Sequence, residues 1–149
     1  MERWAVRKRL RKLYRMLLDS RVALDRASEV VRDKWLKDML FVMACRRLIM
    51  MNLLDRELGT LPIRVEPRPG ADHHFDGLLS RMEASPQGAS AGLLQACQNE
   101  EDHLLDELRE LRFGAGVGKR TLQILTEMIH EAEENLDDLR FLTNGRSMA

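Results

Sequence analysis

A seam of apolar residues runs along the N-terminal part of this chain at alternating steps of four and three residues. Its members are Val6, Leu10, Leu13, Leu17, Ser20, Leu24, Ala27 and Val31. This spacing is the period of a helix that packs nearly parallel to its neighbours in a bundle. Ser20 is the one polar residue in the seam. The pattern predicts a first helix from about Trp4 to Val31 and an all-α fold.

The rest of the chain repeats this helical pattern on either side of a long irregular stretch. Residues 60–90 contain all four prolines and are predicted to form a crossover with a short helix inside it. The further helices have these predicted bounds: about Lys34–Leu58, Asp72–Glu83 within the crossover, Ala91–Leu111 and Thr121–Leu142. The order predicts one domain, 1–149, with the architecture of a ferritin-like four-helix bundle: two antiparallel helix pairs joined by a long crossover.

Composition supports a helical protein in a reducing compartment. Hydrophobic residues make up 44% of the 149 residues, charged residues 32% and aromatic residues only 5%. Cys45 and Cys97 are too few for a disulfide framework, and no apolar stretch follows the basic N-terminus as it does in a signal peptide. The longest apolar run, "MLFVMACRRLIMMNLL", contains two arginines and an asparagine, which favours a buried helix over a membrane span. We expect a cytoplasmic protein.

The net charge of the chain is zero, but the charges are distributed unevenly along it. The N-terminus is basic, and the stretch from Glu100 to Asp138 is acidic. The basic patch consists of Arg7, Lys8, Arg9, Arg11 and Lys12. We interpret the asymmetry as oppositely charged helices lying side by side. Binding of nucleic acid or of a membrane surface through the basic patch is the alternative, and it is less favoured because no aromatic residues interleave the patch.

Two Glu-x-x-His pairs raise the question of a metal site, since ferritin-like bundles use this spacing to bind iron. The first lies in "NEEDH", where Glu100, Glu101 and His103 are candidate ligands for iron or another divalent ion. The second, Glu127 and His130, falls outside the apolar face of the last helix, so both side chains should point to water. The first helix offers no carboxylate on its seam to complete a dimetal site.

The more economical interpretation of "NEEDH" is a buried ion pair. Glu101 lies within the apolar stripe of its helix, and the second helix carries Arg46 and Arg47 where a ligand would be needed. A buried carboxylate requires a partner, and a guanidinium suits a two-pronged contact with it. We expect Arg46 or Arg47 to meet Glu101 or Glu100 near Ser20, in the place of a metal centre and with no cofactor.

The second helix is apolar nearly all the way round between Met39 and Leu54. A helix without a polar face is covered on every side. We expect the crossover helix to cover part of its outer face and a second copy of the chain to cover the rest, which predicts a homodimer. No Ser–His–Asp or Cys–His arrangement stands out, and no small-molecule substrate is indicated.

The chain also resembles a known family in several stretches. "LYRMLLDSRVALDRASEVVRDKWLKDML" is similar to the opening of a bacterial ferritin-like family of stress-associated bundles, catalogued as domain of unknown function 2383. The matching positions are Asp19–Ser20, Ser28–Glu29, Arg32–Asp33 and Leu36–Lys37, then Ala44 and Arg47 in the second helix and Glu101–Asp102 in the third. "LDDLRFL" resembles the end of the fourth helix.

The chain departs from the family pattern at two positions, and the second departure weakens a role in metal binding. Ser20 stands where the family usually has Gly, and Leu136 stands where its members often have His. The resemblance implies a ferritin-like bundle that forms helical dimers, and it implies no activity. Together with the residues, it favours a non-catalytic protein with a structural, interaction or stress-associated role over a metal-binding or oxidase bundle.

Overall fold

The computed structural model describes residues 3–59, 66–84, 86–114 and 116–147, and the regular structure in these ranges is entirely helical. The helices are α1 (Arg3–Val30), α2 (Lys34–Leu58), a turn of 3-10 helix (Ala71–His73), α3 (Asp76–Ala84), α4 (Pro86–Arg112) and α5 (Lys119–Ser147). The bounds of α1 and α2 agree with the sequence to within one residue. Helix α4 begins five residues earlier than predicted, inside the expected crossover, and α5 extends beyond the predicted end at Leu142.

A tight turn makes α1 and α2 antiparallel neighbours. The carboxylate of Asp33 caps α2 by accepting hydrogen bonds from the backbone N–H groups of Trp35, at 3.0 Å, and Leu36, at 3.4 Å. This satisfies donors that the first turn of a helix would otherwise leave unpaired. At the other end of α2, Gly59 has a φ of 70°, a left-handed value that favours glycine.

The crossover runs back along α1, and α4 therefore points the same way as α2. The backbone N–H of Arg68 donates to Asp19 at 2.8 Å near the middle of α1, and Arg26 near its end lies 3.3 Å from Asp76 at the start of α3. Leu93 of α4 packs in one cluster with Leu36 at the start of α2. The four long helices therefore run up, down, down and up.

The core consists of two apolar clusters, one towards each end of the bundle. One cluster contains Leu17, Met50, Leu104 and Ala132, among others, and the second contains Leu24, Ala44, Cys97 and Leu139. Between these two sets of residues, each long helix carries one buried polar side chain. The core is thus divided by a polar layer.

Helix α3 packs mainly against α4 and touches α1, and within the described ranges it does not cover the outer face of α2. Phe41 is 60% exposed and Ile49 46%. The prediction that the crossover helix covers the outer face of α2 is therefore wrong for the described residues, because α3 lies across the bundle from that face. Within the same ranges, no helix has the length and apolar character needed to cross a membrane.

Candidate functional site: a polar layer between the two cores

Four buried side chains, one from each long helix, form the polar layer: Ser20 of α1, Arg47 of α2, Glu101 of α4 and Asn135 of α5. Each occupies a position on its helix where the flanking inward-facing residues are apolar. None is more than 6% exposed. The layer therefore takes polar groups fully out of water, which is costly unless every group finds a partner.

The centre of the layer is a two-pronged ion pair between Arg47 and Glu101. One terminal nitrogen of the guanidinium, Nη1, donates to Oε2 at 2.9 Å, and the other, Nη2, lies 2.7 Å from Oε1. The third guanidinium nitrogen, Nε, donates to the hydroxyl of Ser20 at 3.0 Å. Paired N–H donors in this geometry make the strongest contacts that an arginine forms with a carboxylate.

Asn135 connects this ion pair to the second arginine. Its amide nitrogen donates to Oε1 of Glu101 at 3.1 Å, and its amide oxygen accepts a hydrogen bond from Nη1 of Arg46. Arg46 also donates to Asp138 at 2.9 Å and lies 4.0 Å from Glu131. The adjacent arginines therefore have different surroundings: Arg47 lies in the centre of the bundle, and Arg46 bridges α2 to the partly exposed edge of α5.

The electrostatics of the layer keep Arg47 charged. Burial alone would lower the pKa of Arg47, but the charge of Glu101 and the hydrogen bonds between the two groups outweigh burial and raise it. Among the described residues, no buried side-chain nitrogen or oxygen lacks a hydrogen bond. The layer is thus a fully paired network, which is the condition under which buried charges are tolerated.

Glu100 lies beside the layer in different surroundings. It is half-buried and faces a cavity of about 540 Å³ between α1, the crossover and α4, and its carboxylate forms no hydrogen bond with a described residue. His74 and His103 line the same cavity. Burial raises the pKa of the Glu100 carboxyl, and the positive charge of Arg47 offsets only part of that rise.

The three candidate metal ligands do not converge. Both oxygens of Glu101 accept hydrogen bonds from Arg47 and Asn135, while Glu100 and the exposed His103 face the cavity. Over the ranges that the structure describes, no three His, Cys, Asp or Glu side chains are close enough to hold a metal ion. On α5, Glu127 and His130 are both exposed, and His130 lies 3.1 Å from Glu134.

The five residues of the basic patch have no ion-pair partner among the described residues. Arg7, Lys8, Arg11 and Lys12 are exposed and Arg9 is half-buried. Ion pairs across the acidic part of the bundle instead join α4 to α5, from Arg109 to Glu133 at 3.4 Å and from Arg140 to Asp102 at 3.8 Å. Within the described ranges, the basic patch of α1 therefore forms no ion pairs with the acidic helices α4 and α5.

The two cysteines lie in different surroundings. Cys97 is buried among apolar side chains, and burial together with the nearby negative charge of Glu100 raises its pKa to about 12. Its thiol therefore stays protonated at neutral pH and is a poor nucleophile. Cys45 is exposed on the outer face of α2.

Sequence reasoning missed Asn135, although a signal was present. Asn135 lies three residues after Ala132 and four before Leu139, both on the apolar face of α5. A polar residue at such a position needs a buried partner, as Ser20 does on α1. Asp138 was also missed, since a half-exposed carboxylate on an acidic helix carries no distinguishing pattern.

Comparison with known proteins identifies no relative of this chain: no family model, no curated protein and no solved structure matches it. The resemblance to a stress-associated ferritin-like family stays a prediction that rests on the sequence motifs quoted above.

Proposed function

We propose that this chain is a non-catalytic, ferritin-like helical-bundle protein with a structural or interaction role, and that it works as a homodimer. The order of its long helices supports the ferritin-like assignment. Two antiparallel pairs are joined by a long crossover, so that α2 and α4 run in the same direction. Ferritin-like bundles have one such crossover.

The non-catalytic assignment is supported by the side chains that fill the centre of the bundle. Dimetal bundles bring carboxylates from all four helices to that point. Here the side chains that meet there with Glu101 are Ser20, Arg47 and Asn135. A metal cation at this position would lie against the positive charge of Arg47 and would have to displace that guanidinium from Glu101. The ion pair thus takes the place of a metal centre.

The interaction role is supported by the outer face of α2. Four large apolar side chains on this face, Phe41, Val42, Leu48 and Ile49, are between 38% and 60% exposed. Scattered exposed apolar residues need no explanation, but a contiguous strip on one helix marks a surface that is covered in the working assembly. A second copy of the chain would cover it.

Metal content after loading tests the non-catalytic assignment. The protein is incubated with Fe(II), Mn(II) or Zn(II), desalted and measured by elemental mass spectrometry, alongside the variants Glu101→Gln and Glu127→Gln. We expect no stoichiometric metal in any of the three proteins. One or two tightly held ions per chain that are lost in Glu101→Gln and kept in Glu127→Gln would overturn the proposal in favour of a metal-binding bundle.

A further inference from the structure

The outer face of α2 is symmetric about one residue, Cys45. At about 100° per residue, Cys45 lies opposite Leu36 and Leu54, which are both fully buried. Phe41 and Ile49 lie four residues to either side of Cys45. The outward-facing strip therefore has matching apolar side chains at equal distances before and after its centre.

Two further pairs of residues lie at equal distances before and after Cys45. Val42 and Leu48 lie three residues to either side, and both are exposed. Asp38 and Asn52 lie seven residues to either side and are exposed as well. Between Asp38 and Asn52 the outward-facing strip carries no further charge.

A surface with this symmetry is complementary to itself when two copies meet in antiparallel orientation. A two-fold axis between the two Cys45 residues brings Phe41 and Val42 against the partner's Ile49, and Leu48 against the partner's Phe41. The same residues contact each other in both directions, as a two-fold dimer requires. The small side chain of Cys45 lies at the crossing point, where two helix backbones approach most closely.

Charge distinguishes the antiparallel arrangement from the parallel one. In the antiparallel pair, Asp38 lies across from the partner's Asn52, whose amide can donate a hydrogen bond to the carboxylate. In a parallel pair with the same centre, Asp38 would face the partner's Asp38, and two like charges would be brought together. Like charges across an interface disfavour that arrangement.

We propose that two copies of this chain associate by packing α2 against α2 in antiparallel orientation, with the two-fold axis at Cys45. This inference rests on the proposed homodimer and specifies its contact surface and register. The strip from Asp38 to Asn52 is about 21 Å long at the rise of an α-helix. A single helix pair buries less than the roughly 1,600 Å² of a standard interface, so the dimer should exchange with monomer at micromolar concentration.

The test combines the oligomeric state with disulfide trapping. Sedimentation velocity of the full chain across micromolar concentrations measures self-association. Mild oxidation then measures cross-linking through Cys45, since Cys97 is buried in the core. Two further proteins, Cys45→Ser/Val42→Cys and Cys45→Ser/Ile49→Cys, are oxidised separately and as a mixture.

The antiparallel register predicts a specific pattern of cross-links. The natural chain should form a covalent dimer through Cys45, and the two variants should cross-link roughly tenfold faster when mixed than when separate, because a disulfide needs Cα atoms within about 7 Å. Association without this pattern, or with fast cross-linking of each variant to itself, overturns the register and leaves the homodimer standing. A monomer at every concentration overturns both the register and the homodimer.

Discussion

A helix at a protein surface usually turns apolar residues inward and polar residues outward, and the two faces of α2 reverse this arrangement. The inner face carries a charged residue at its centre, Arg47, which is 1% exposed and fully paired. The outer face carries Phe41, which is 60% exposed, and three further apolar residues. The comparison shows that an apolar helix can hold its polar group inside and its apolar groups outside, provided that the polar group is paired.

Removing the partner of Arg47 should have the largest effect on the free energy of unfolding. Glu101→Ala leaves the guanidinium buried without its counter-charge, and breaking such a pair costs about 3–5 kcal/mol. Urea denaturation followed by circular dichroism measures the change. Glu127→Ala, an exposed carboxylate on α5, is the control and should change stability little. Equal unfolding midpoints for the two variants would contradict the account of the inner face.

Asn135→Leu should have the next largest effect. The amide donates a hydrogen bond to Glu101 and accepts one from Arg46. Its removal therefore deprives the buried Oε1 of Glu101 of one hydrogen-bond donor. We expect a loss of about 1–3 kcal/mol in the free energy of unfolding. Asn99→Leu, an exposed position on α4, is a suitable control. A stability unchanged from that of the natural chain would show that the layer does not depend on α5.

Phe41→Glu should weaken self-association with little effect on the stability of the single chain. Burying a carboxylate against the partner's Ile49 is unfavourable, and we expect at least about a tenfold increase in the dissociation constant, which corresponds to about 1.4 kcal/mol. Sedimentation equilibrium measures it. Phe141→Glu is a matched control, because Phe141 on α5 is 77% exposed. Equal weakening by the two changes would place the contact elsewhere than on the outer face of α2.

Glu100→Gln should have the smallest effect, seen in the pH dependence of stability. The folded pKa of Glu100 is raised above its ordinary value of 4.5, so the folded state binds the proton more tightly than the unfolded state. The resulting stabilisation is fully present below pH 4.5 and is lost as pH rises through the folded pKa. Glu100→Gln should therefore lose less stability than the natural chain over this window.

Urea midpoints measured at several pH values, with Glu110→Gln as an exposed control on the same helix, check this expectation. Identical pH profiles for the natural chain and Glu100→Gln would contradict the assignment of the raised pKa to Glu100.

The parts of the fold that follow from spacing along one helix could be predicted from sequence. The bounds of α1 and α2 rest on a seam with regular four- and three-residue spacing and on a terminal glycine, and both are local signals. The start of α4 could not be predicted in this way, because "SPQGASAG" contains residues that disfavour helix interiors. Proline is nevertheless suited to the first turn of a helix, where its missing N–H is not needed.

Helix α4 packs against α3 near Gly92. A side-chain carbon at Gly92 would lie 3.5 Å from the side chain of Leu78 in α3, which is an ordinary van der Waals contact. Such a tertiary contact has no signature in the sequence of either helix alone. For the same reason, the sequence could not predict that α3 packs on α4 and leaves the outer face of α2 exposed.

The sequence could predict which residues of the candidate site are unusual within their own helix, but not which of them meet across helices. Glu101 and the arginines stand out because each is charged within an apolar stripe. Spacing could not decide between Arg46 and Arg47, since adjacent residues lie about 100° apart and the choice depends on where α4 and α5 lie. It also could not show that Glu100 faces a cavity while Glu101 faces the layer.

A double-mutant cycle between Arg47 and Glu101 tests the central claim most directly. The free energy of unfolding is measured for Arg47→Met, for Glu101→Leu and for the double variant. If the two side chains form one buried pair, each single change should cost about 3–5 kcal/mol and the double change far less than their sum, since hydrophobic replacement of a whole pair is often neutral. Additive losses would show that the two residues act independently, and the ion pair would not then hold the centre of this bundle.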